Sequence, residues 1–228
     1  MLSAIILAAG EGRRLKAKAT KPLVKINNIP AIVYSLKCLN QEKRVSEIIV
    51  VLNLRNQKQV MAALKKYAFG KIKCFVLGGK RRQDSVYNAL KAVNQNSDWV
   101  LIHDAARPFI SALLVNKVIL AAKKFKAAIL GVRVKATIKS TDISNFVTQT
   151  LDRNSLWEVQ TPQVFKKELL LAAYGKYVCS AVTDDASLVE KLGQPVKMVP
   201  GSYENIKITT REDLLLAEII AKRFKNAI

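Results

Sequence analysis

Several short segments carry residues whose types and spacing suit phosphate and a divalent cation. The first, Leu7-Ala8-Ala9-Gly10-Glu11-Gly12-Arg13-Arg14, follows directly on a β-type run. Small residues at Ala8, Ala9 and Gly10 let backbone N–H groups approach phosphate oxygens, and Arg13 and Arg14 add fixed positive charge. Two familiar phosphate motifs do not fit. A dinucleotide fingerprint needs glycine at position 15, which is Leu15, and a P-loop needs Gly-Lys-Ser/Thr, which is absent. A lone Gly-x-Gly is commonly a tight turn, but two arginines and a strand-end position favour a phosphate cradle. Thr20-Lys21-Pro22-Leu23 comes a loop's length later. Proline biases the residue before it towards extended backbone, so Lys21 is expected to be held in place and kept out of a helix. A fixed ammonium beside a triphosphate stabilises phosphoryl-type transition states; in isolation it reads as a surface lysine in a turn.

Gly78-Gly79-Lys80-Arg81-Arg82 closes another β-type run, and Gln83-Asp84-Ser85-Val86 opens a helix. Paired glycines permit close approach of a flat base. Ser85 could meet a base edge or act as a local cap, and spacing does not choose between them. His103-Asp104-Ala105-Ala106-Arg107-Pro108 ends a further run. Mg²⁺ prefers one or two carboxylates plus phosphate oxygens, so Asp104 beside a triphosphate loop is a candidate ligand. His103 is the only histidine in the chain and reads as a structural hydrogen-bonder. Asp152-Arg153 and Asn205-Ile206-Lys207-Ile208-Thr209 are weaker signals. An Asp-Arg pair is commonly a local salt bridge, and a strand lysine commonly faces solvent.

These segments must be positioned by the elements around them. Apolar β-type runs (Leu2–Ala8, Glu47–Leu52, Lys71–Leu77, Trp99–His103, Ala127–Val132) alternate with helical stretches (Pro30–Leu39, Gln57–Tyr67, Asp84–Val93, Leu113–Phe125). That rhythm specifies parallel βαβ units with both sheet faces covered, and ligands in such sheets bind beyond the carboxyl ends of strands. Then the pattern breaks. Thr137–Asp142 and Phe146–Leu151, joined by Ile143-Ser144-Asn145, predict a hairpin arm standing off the sheet. Such a hairpin needs packing to be stable, which makes a partner subunit a plausible recipient. A Pro162-containing loop, a helix near Lys167–Tyr174, a strand Val196–Val199 and a C-terminal helix complete the reading. Thr209 and Glu212 fit a capping box for that helix, with Leu215, Ile219 and Ile220 on its apolar side.

A chain of 228 residues supports one substantial core, so residues 1–228 are read as a single domain with an arm at about 136–154. Its longest apolar runs are strand-sized, far short of the ~20 residues that span a membrane. With no secretory leader at the N-terminus, a cytoplasmic location is expected. Cys38, Cys74 and Cys179 are widely spaced and read as reduced thiols. The formal charge is +21, from 38 basic and 17 acidic residues. Lys65-Lys66, Lys123-Lys124, Lys166-Lys167 and Lys222-Arg223 fall late in helix-like stretches, where they complement helix dipoles as solvated charge. A basic nucleic-acid-binding protein is the alternative from another class, but the basic residues are dispersed and the aromatics form no stacking series.

Taken in order, Leu7–Arg14, Gly78–Val86, His103–Phe109, Thr150–Trp157, Gln160–Phe165, Thr183–Glu190 and Asn205–Asp213 resemble the 2-C-methyl-D-erythritol 4-phosphate cytidylyltransferases. The resemblance implies a Rossmann-like α/β nucleotidyltransferase fold: a mostly parallel twisted sheet flanked by helices, with a protruding, dimerising β-arm. It implies transfer of the cytidylyl group of CTP to a polyol phosphate with Mg²⁺ as cofactor, and neither nucleic acid nor membrane as partner. By the same resemblance Arg14, Lys21 and Lys207 are catalytic, and Asp104 binds both substrate and metal. Ala8, Ala9 and Gly10 contact the nucleotide, and Gly79, Lys80 and Ser85 match the cytosine-binding stretch. Thr137 and Arg153 match arm residues that hold methylerythritol phosphate in a partner's site. The chain departs from the family pattern at Thr20, Asn28, Ala89 and Ala136. Ala136 replaces an acidic residue near the acceptor, so another polyol phosphate such as ribitol 5-phosphate is the nearest alternative acceptor.

Overall fold

The computed structural model describes residues 1–10, 20–177 and 180–223. Its main sheet has seven strands, and the continuous β-branched runs explain why most of them are buried on both faces. β1 (Leu2–Leu7) is an interior strand of this sheet. The hairpin β2 (Lys25–Ile26) and β3 (Ile29–Pro30) leads into α1 (Ala31–Gln41), and the chain then builds outward from β1 on one side. There β4 (Val45–Leu52), α2 (Gln57–Leu64) and β5 (Ile72–Leu77) follow, with β4 and β5 parallel to β1. Helix α3 (Arg82–Leu90) then returns the chain across the sheet to β6 (Trp99–Asp104), parallel to β1 on its other side. Strand order therefore reverses about β1, and the carboxyl ends of β1 and β6 flank a topological switch point, where open sheets of this kind bind ligands.

Beyond β6 come α4 (Ala112–Phe125), β7 (Ala127–Arg133) and the hairpin β8 (Ile138–Thr141) and β9 (Val147–Leu151). β10 (Trp157–Lys166), α5 (Lys167–Tyr177), α6 (Ala186–Glu190), β11 (Lys197–Pro200) and α7 (Arg211–Arg223) follow. The strand order is β11-β7-β10-β6-β1-β4-β5, with only β10 antiparallel to its neighbours. One apolar layer packs α1, α2 and α4 on one face of the sheet, and a second packs α3, α5 and α6 on the other. A smaller cluster holds α7 against β2 and Phe109. No helix of the described residues is long and apolar enough to cross a membrane.

Five sequence expectations are corrected. Pro162 lies within β10 and not in a loop: the register shifts between Gln160 and Gln163, and that bulge accommodates a residue that cannot donate to the ladder. Lys21 joins a 3-10 turn, Lys21–Leu23, with Pro22 buried near its start, where proline's missing N–H costs nothing. The capping box of α7 sits one residue later than expected. Thr210 N donates to Asp213 Oδ2 at 2.8 Å and Asp213 N to Thr210 Oγ1 at 3.3 Å. The buried side of α7 is Ala217, Ile220 and Ala221, because small residues let the helix approach the β2–β3 hairpin closely, whereas Leu215 and Ile219 are exposed. Lys166-Lys167 also differs from the other basic pairs: it joins β10 to α5, and Lys167 Nζ donates to the carbonyls of Asn94 and Gln95. Cys38 and Cys74 are free thiols; Cys179 falls outside the described residues.

Candidate active site

The carboxyl ends of β1, β4, β5 and β6 open into one cleft of about 690 Å³, a size suited to a small ligand. Its floor is the segment after β1. Asn53 Nδ2 donates to Ala9 O at 2.7 Å, and Asn56 Nδ2 to Ala8 O at 2.9 Å. Both asparagines follow β4, so one strand end braces the next. Beside this floor runs Gly78-Gly79. A Cβ on Gly78 would stand 2.7 Å from the Ala9 Cβ, and one on Gly79 would collide with Asp84, so both positions demand glycine by close approach. Ser85 Oγ accepts from Gly79 N at 3.1 Å and donates to Arg81 O at 3.2 Å, fixing this turn. Asp84 takes up the neighbouring charge of Arg81, with Nη2 2.6 Å from Oδ1.

The opposite wall carries the strongest electrostatics. Asp104, the last residue of β6, is in register with Leu7 of β1 and is buried. Lys207 Nζ lies 2.6 Å from its Oδ2 and Arg82 Nε 3.4 Å from its Oδ1. Burial alone would raise the pKa of this carboxyl. The two cations, Arg82 first, outweigh that and hold it well below the usual carboxylate range. Lys207 sits in a loop, not a strand, and that loop is stapled in place by Arg107, whose buried guanidinium donates to Asn205 O at 2.7 Å and Val159 O at 3.1 Å. Ile208 N also donates to Ala106 O at 2.8 Å.

His103 lies behind Asp104 and is wholly buried. The Thr161 hydroxyl accepts from Asp104 N at 3.0 Å and lies 3.0 Å from His103 Nδ1. His103 Nε2 then donates to Arg107 O at 3.0 Å. Burial disfavours the imidazolium, lowering the pKa to about 4; in the neutral ring the carbonyl of Arg107 claims the Nε2 proton, and Nδ1 accepts from the Thr161 hydroxyl.

Ala8, Ala9, Gly10, Lys21, Gly79, Lys80, Ser85, Asp104 and Lys207 all line this cleft. Arg14 lies outside the described residues. Thr137 and Arg153 belong to the arm and do not line this cleft of their own chain. Nor does Arg153 pair with Asp152, as the sequence had suggested. Arg153 Nη1 donates to Lys135 O at 2.9 Å, while Asp152 Oδ1 accepts from Asn154 N. Sequence reasoning singled out neither Arg82 nor Asn53, which also line the cleft. Arg82 was visible only as one member of a basic run, and its separation from Arg81 rests on which carboxylate each one meets.

No group of three or more His, Cys, Asp or Glu among the described residues could cage a metal by itself. The donor set at Asp104 instead suits a hard cation that takes its remaining oxygens from phosphate and water. A second groove of about 550 Å³, between α1 and the start of α4, includes Lys37, Lys43 and Arg44 at its rim, but Arg44 is already bonded to Glu42 and Asn116. It has no convergent strand ends.

Comparison with known proteins places these observations in a family. Residues 2–223 match the family model described as 2-C-methyl-D-erythritol 4-phosphate cytidylyltransferase. Proteins of that name from Geobacillus thermodenitrificans and Shouchella clausii are 46% and 43% identical, over 95% and 99% of both chains respectively. The crystal structure of 4-diphosphocytidyl-2C-methyl-D-erythritol synthase from Anaerococcus prevotii superimposes with a TM-score of 0.86 at 38% identity, covering 97% of this chain and 96% of that one.

Proposed function

The chain belongs to the 2-C-methyl-D-erythritol 4-phosphate cytidylyltransferase family, and from that premise we infer that its strand-end cleft transfers the cytidylyl group of CTP to 2-C-methyl-D-erythritol 4-phosphate, releasing pyrophosphate. The observation that carries this reading is the meeting of Lys207 and Asp104 across from Gly79 and Ser85, in a cleft that Lys21 also enters.

The acceptor is a phosphate monoester, already anionic at neutral pH, so its oxygen attacks the α-phosphorus of CTP without a general base. The buried imidazole of His103, with both nitrogens engaged, is not positioned to be one. What the site must do is hold two anions in line and offset their repulsion. Lys21 and Lys207 supply fixed charge for this. Among the described residues Lys207 uses one ammonium donor on Asp104, and an ammonium has three, so two remain for phosphate oxygens. Asp104, ionised by its cationic neighbours, is the ligand for Mg²⁺, which when bound would neutralise phosphate charge and polarise the α-phosphoryl group. The backbone of Gly79 and Lys80 faces the cytosine, on a turn that Ser85 keeps in shape. Ala8, Ala9 and Gly10 bring backbone close to the triphosphate, and Arg14 adds charge to it.

The acceptor side is completed by a second copy. β8 and β9 pair only with each other among the described residues, and the tip of the arm exposes Ile143, Phe146 and Val147. An isolated two-stranded hairpin is marginal in water, so a homodimer that buries this arm is the favoured state. Thr137 and Arg153 then hold the acceptor's polar groups in the partner's cleft.

The test offers CTP, UTP and ATP with a panel of polyol phosphates and follows pyrophosphate release with and without Mg²⁺. Release is expected with CTP and methylerythritol phosphate, and its loss on chelation of Mg²⁺. Release with ribitol 5-phosphate instead would transfer the assignment to that acceptor. Salt-sensitive binding of unrelated DNA or RNA with no pyrophosphate release would support the nucleic-acid reading and overturn this one.

A further inference from the structure

Two buried side chains stand behind the cleft in a connected line with it. Asp185 is wholly buried, and both of its oxygens are engaged. Tyr174 Oη donates to Oδ1 at 2.5 Å, and Arg82 Nη1 donates to Oδ2 at 2.7 Å. Arg82 turns its Nε edge to Asp104 Oδ1, and Lys207 meets Asp104 Oδ2. The line therefore runs from Tyr174 on α5, through Asp185 before α6 and Arg82 on α3, to the cleft carboxylate at the end of β6.

Stability alone does not account for this arrangement. Asp185 precedes α6 yet accepts no capping bond from it; that task falls to Asp184, whose Oδ1 accepts from Ser187 N at 3.1 Å. Arg82 is the first residue of α3, where a positive charge opposes the helix dipole. A buried ion pair is a poor means of stabilisation, because desolvation offsets most of the attraction. What the arrangement does provide is orientation. A planar guanidinium gripped at Nη1 presents its Nε edge in one direction, and here that direction is Asp104.

We propose that Asp185 and Tyr174 form a buried positioning pair for the transfer reaction, fixing Arg82 so that it holds the Asp104 carboxylate in its working orientation. This inference rests on the cytidylyl-transfer reading of the cleft. Neither Asp185 nor Tyr174 lines the cleft; both act through Arg82. Released from Asp185, Arg82 would share Asp104 with Lys207 as its remaining carboxylate, leaving one excess positive charge at the cleft wall, and would turn towards the nucleotide's phosphates. Nucleotide binding would then be kept or strengthened while turnover falls.

The experiment compares wild type, Asp185→Asn, Tyr174→Phe, Arg82→Ala and the Arg82→Ala/Asp185→Asn double variant. It measures kcat and KM for CTP, CTP affinity by calorimetry without acceptor, and melting temperature. Wild-type transfer is measured first, so failure of the functional reading shows before any variant is considered. Asp185→Asn is expected to lose roughly ten-fold in kcat, the loss of one charge-assisted bond. Its CTP affinity should be unchanged or tighter. Tyr174→Phe should lose severalfold in kcat and lower the melting temperature by a few degrees, with CTP affinity unchanged. The double variant should be no slower than Arg82→Ala alone. Wild-type kcat in Asp185→Asn and Tyr174→Phe would overturn the proposal. So would additive losses in the double variant, or CTP affinity that falls in step with melting temperature. If Asp185→Asn does not fold, Tyr174→Phe decides, with wild-type kcat counting against the proposal.

Discussion

His103 is the chain's single imidazole, and its neighbours decide its charge. With its folded pKa near 4 and its ordinary value at 6.5, the unfolded chain takes up the proton first. The imidazole's contribution to stability is therefore full above about pH 6.5 and is lost as pH falls towards 4. Because no other histidine is present, the ring C–H signals in an NMR titration belong to this residue. Their midpoint is expected near 4, and a midpoint at or above 6.5 would mean the ring is not a buried, neutral acceptor from the Thr161 hydroxyl. Lys21 and Lys207 belong to the same scale. Each is expected to act mainly in the transition state, so Lys21→Ala and Lys207→Ala should lower kcat by about 100-fold or more while raising KM far less. Near-wild-type turnover in both would remove them from the catalytic set. The sequence made Lys207 a candidate only through family resemblance. Its partner Asp104 lies 103 positions away, and no local pattern reports a pairing of that separation.

Elements decide where those residues stand. The βαβ rhythm of the first 135 residues was legible because strand-sized apolar runs and amphipathic helices have distinct periods. β10 was not. Its Pro162 argues locally for a loop, whereas the bulge between Gln160 and Gln163 that admits it depends on pairing with β7. The consequence reaches the site, since Thr161 in this strand supplies the hydroxyl that bonds both Asp104 N and His103. The start of α7 was located to within one residue, with serviceable chemistry at either position; Asp213, not Glu212, closes the box. Thr210→Ala is accordingly expected to cost about 1 kcal/mol in chemical unfolding, and Glu212→Ala much less. Equal losses would return the cap to the register first expected from the sequence.

At the scale of the whole molecule, the cleft exists because strand order reverses about β1, which sets β1, β4 and β5 ends beside β6. The alternation of elements implies such a sheet, but not which strands neighbour one another, so the meeting of Asp104 with Lys207 and Arg82 had to come from the fold. The proposed dimer extends the same reasoning beyond one chain, since Thr137 and Arg153 are not in the lining of their own cleft. Mixing inactive Lys21→Ala subunits with inactive Arg153→Ala subunits should restore part of the wild-type activity by forming one intact site per mixed dimer. Absence of any restoration under conditions where subunits exchange would place the acceptor site within one chain. The most direct measurement is a crystal structure with CTP and Mg²⁺. We expect cytosine against the Gly79–Ser85 turn, the triphosphate between Lys21 and Lys207, and the cation on Asp104. Nucleotide density in the groove between α1 and α4, with the strand-end cleft empty, would contradict the account.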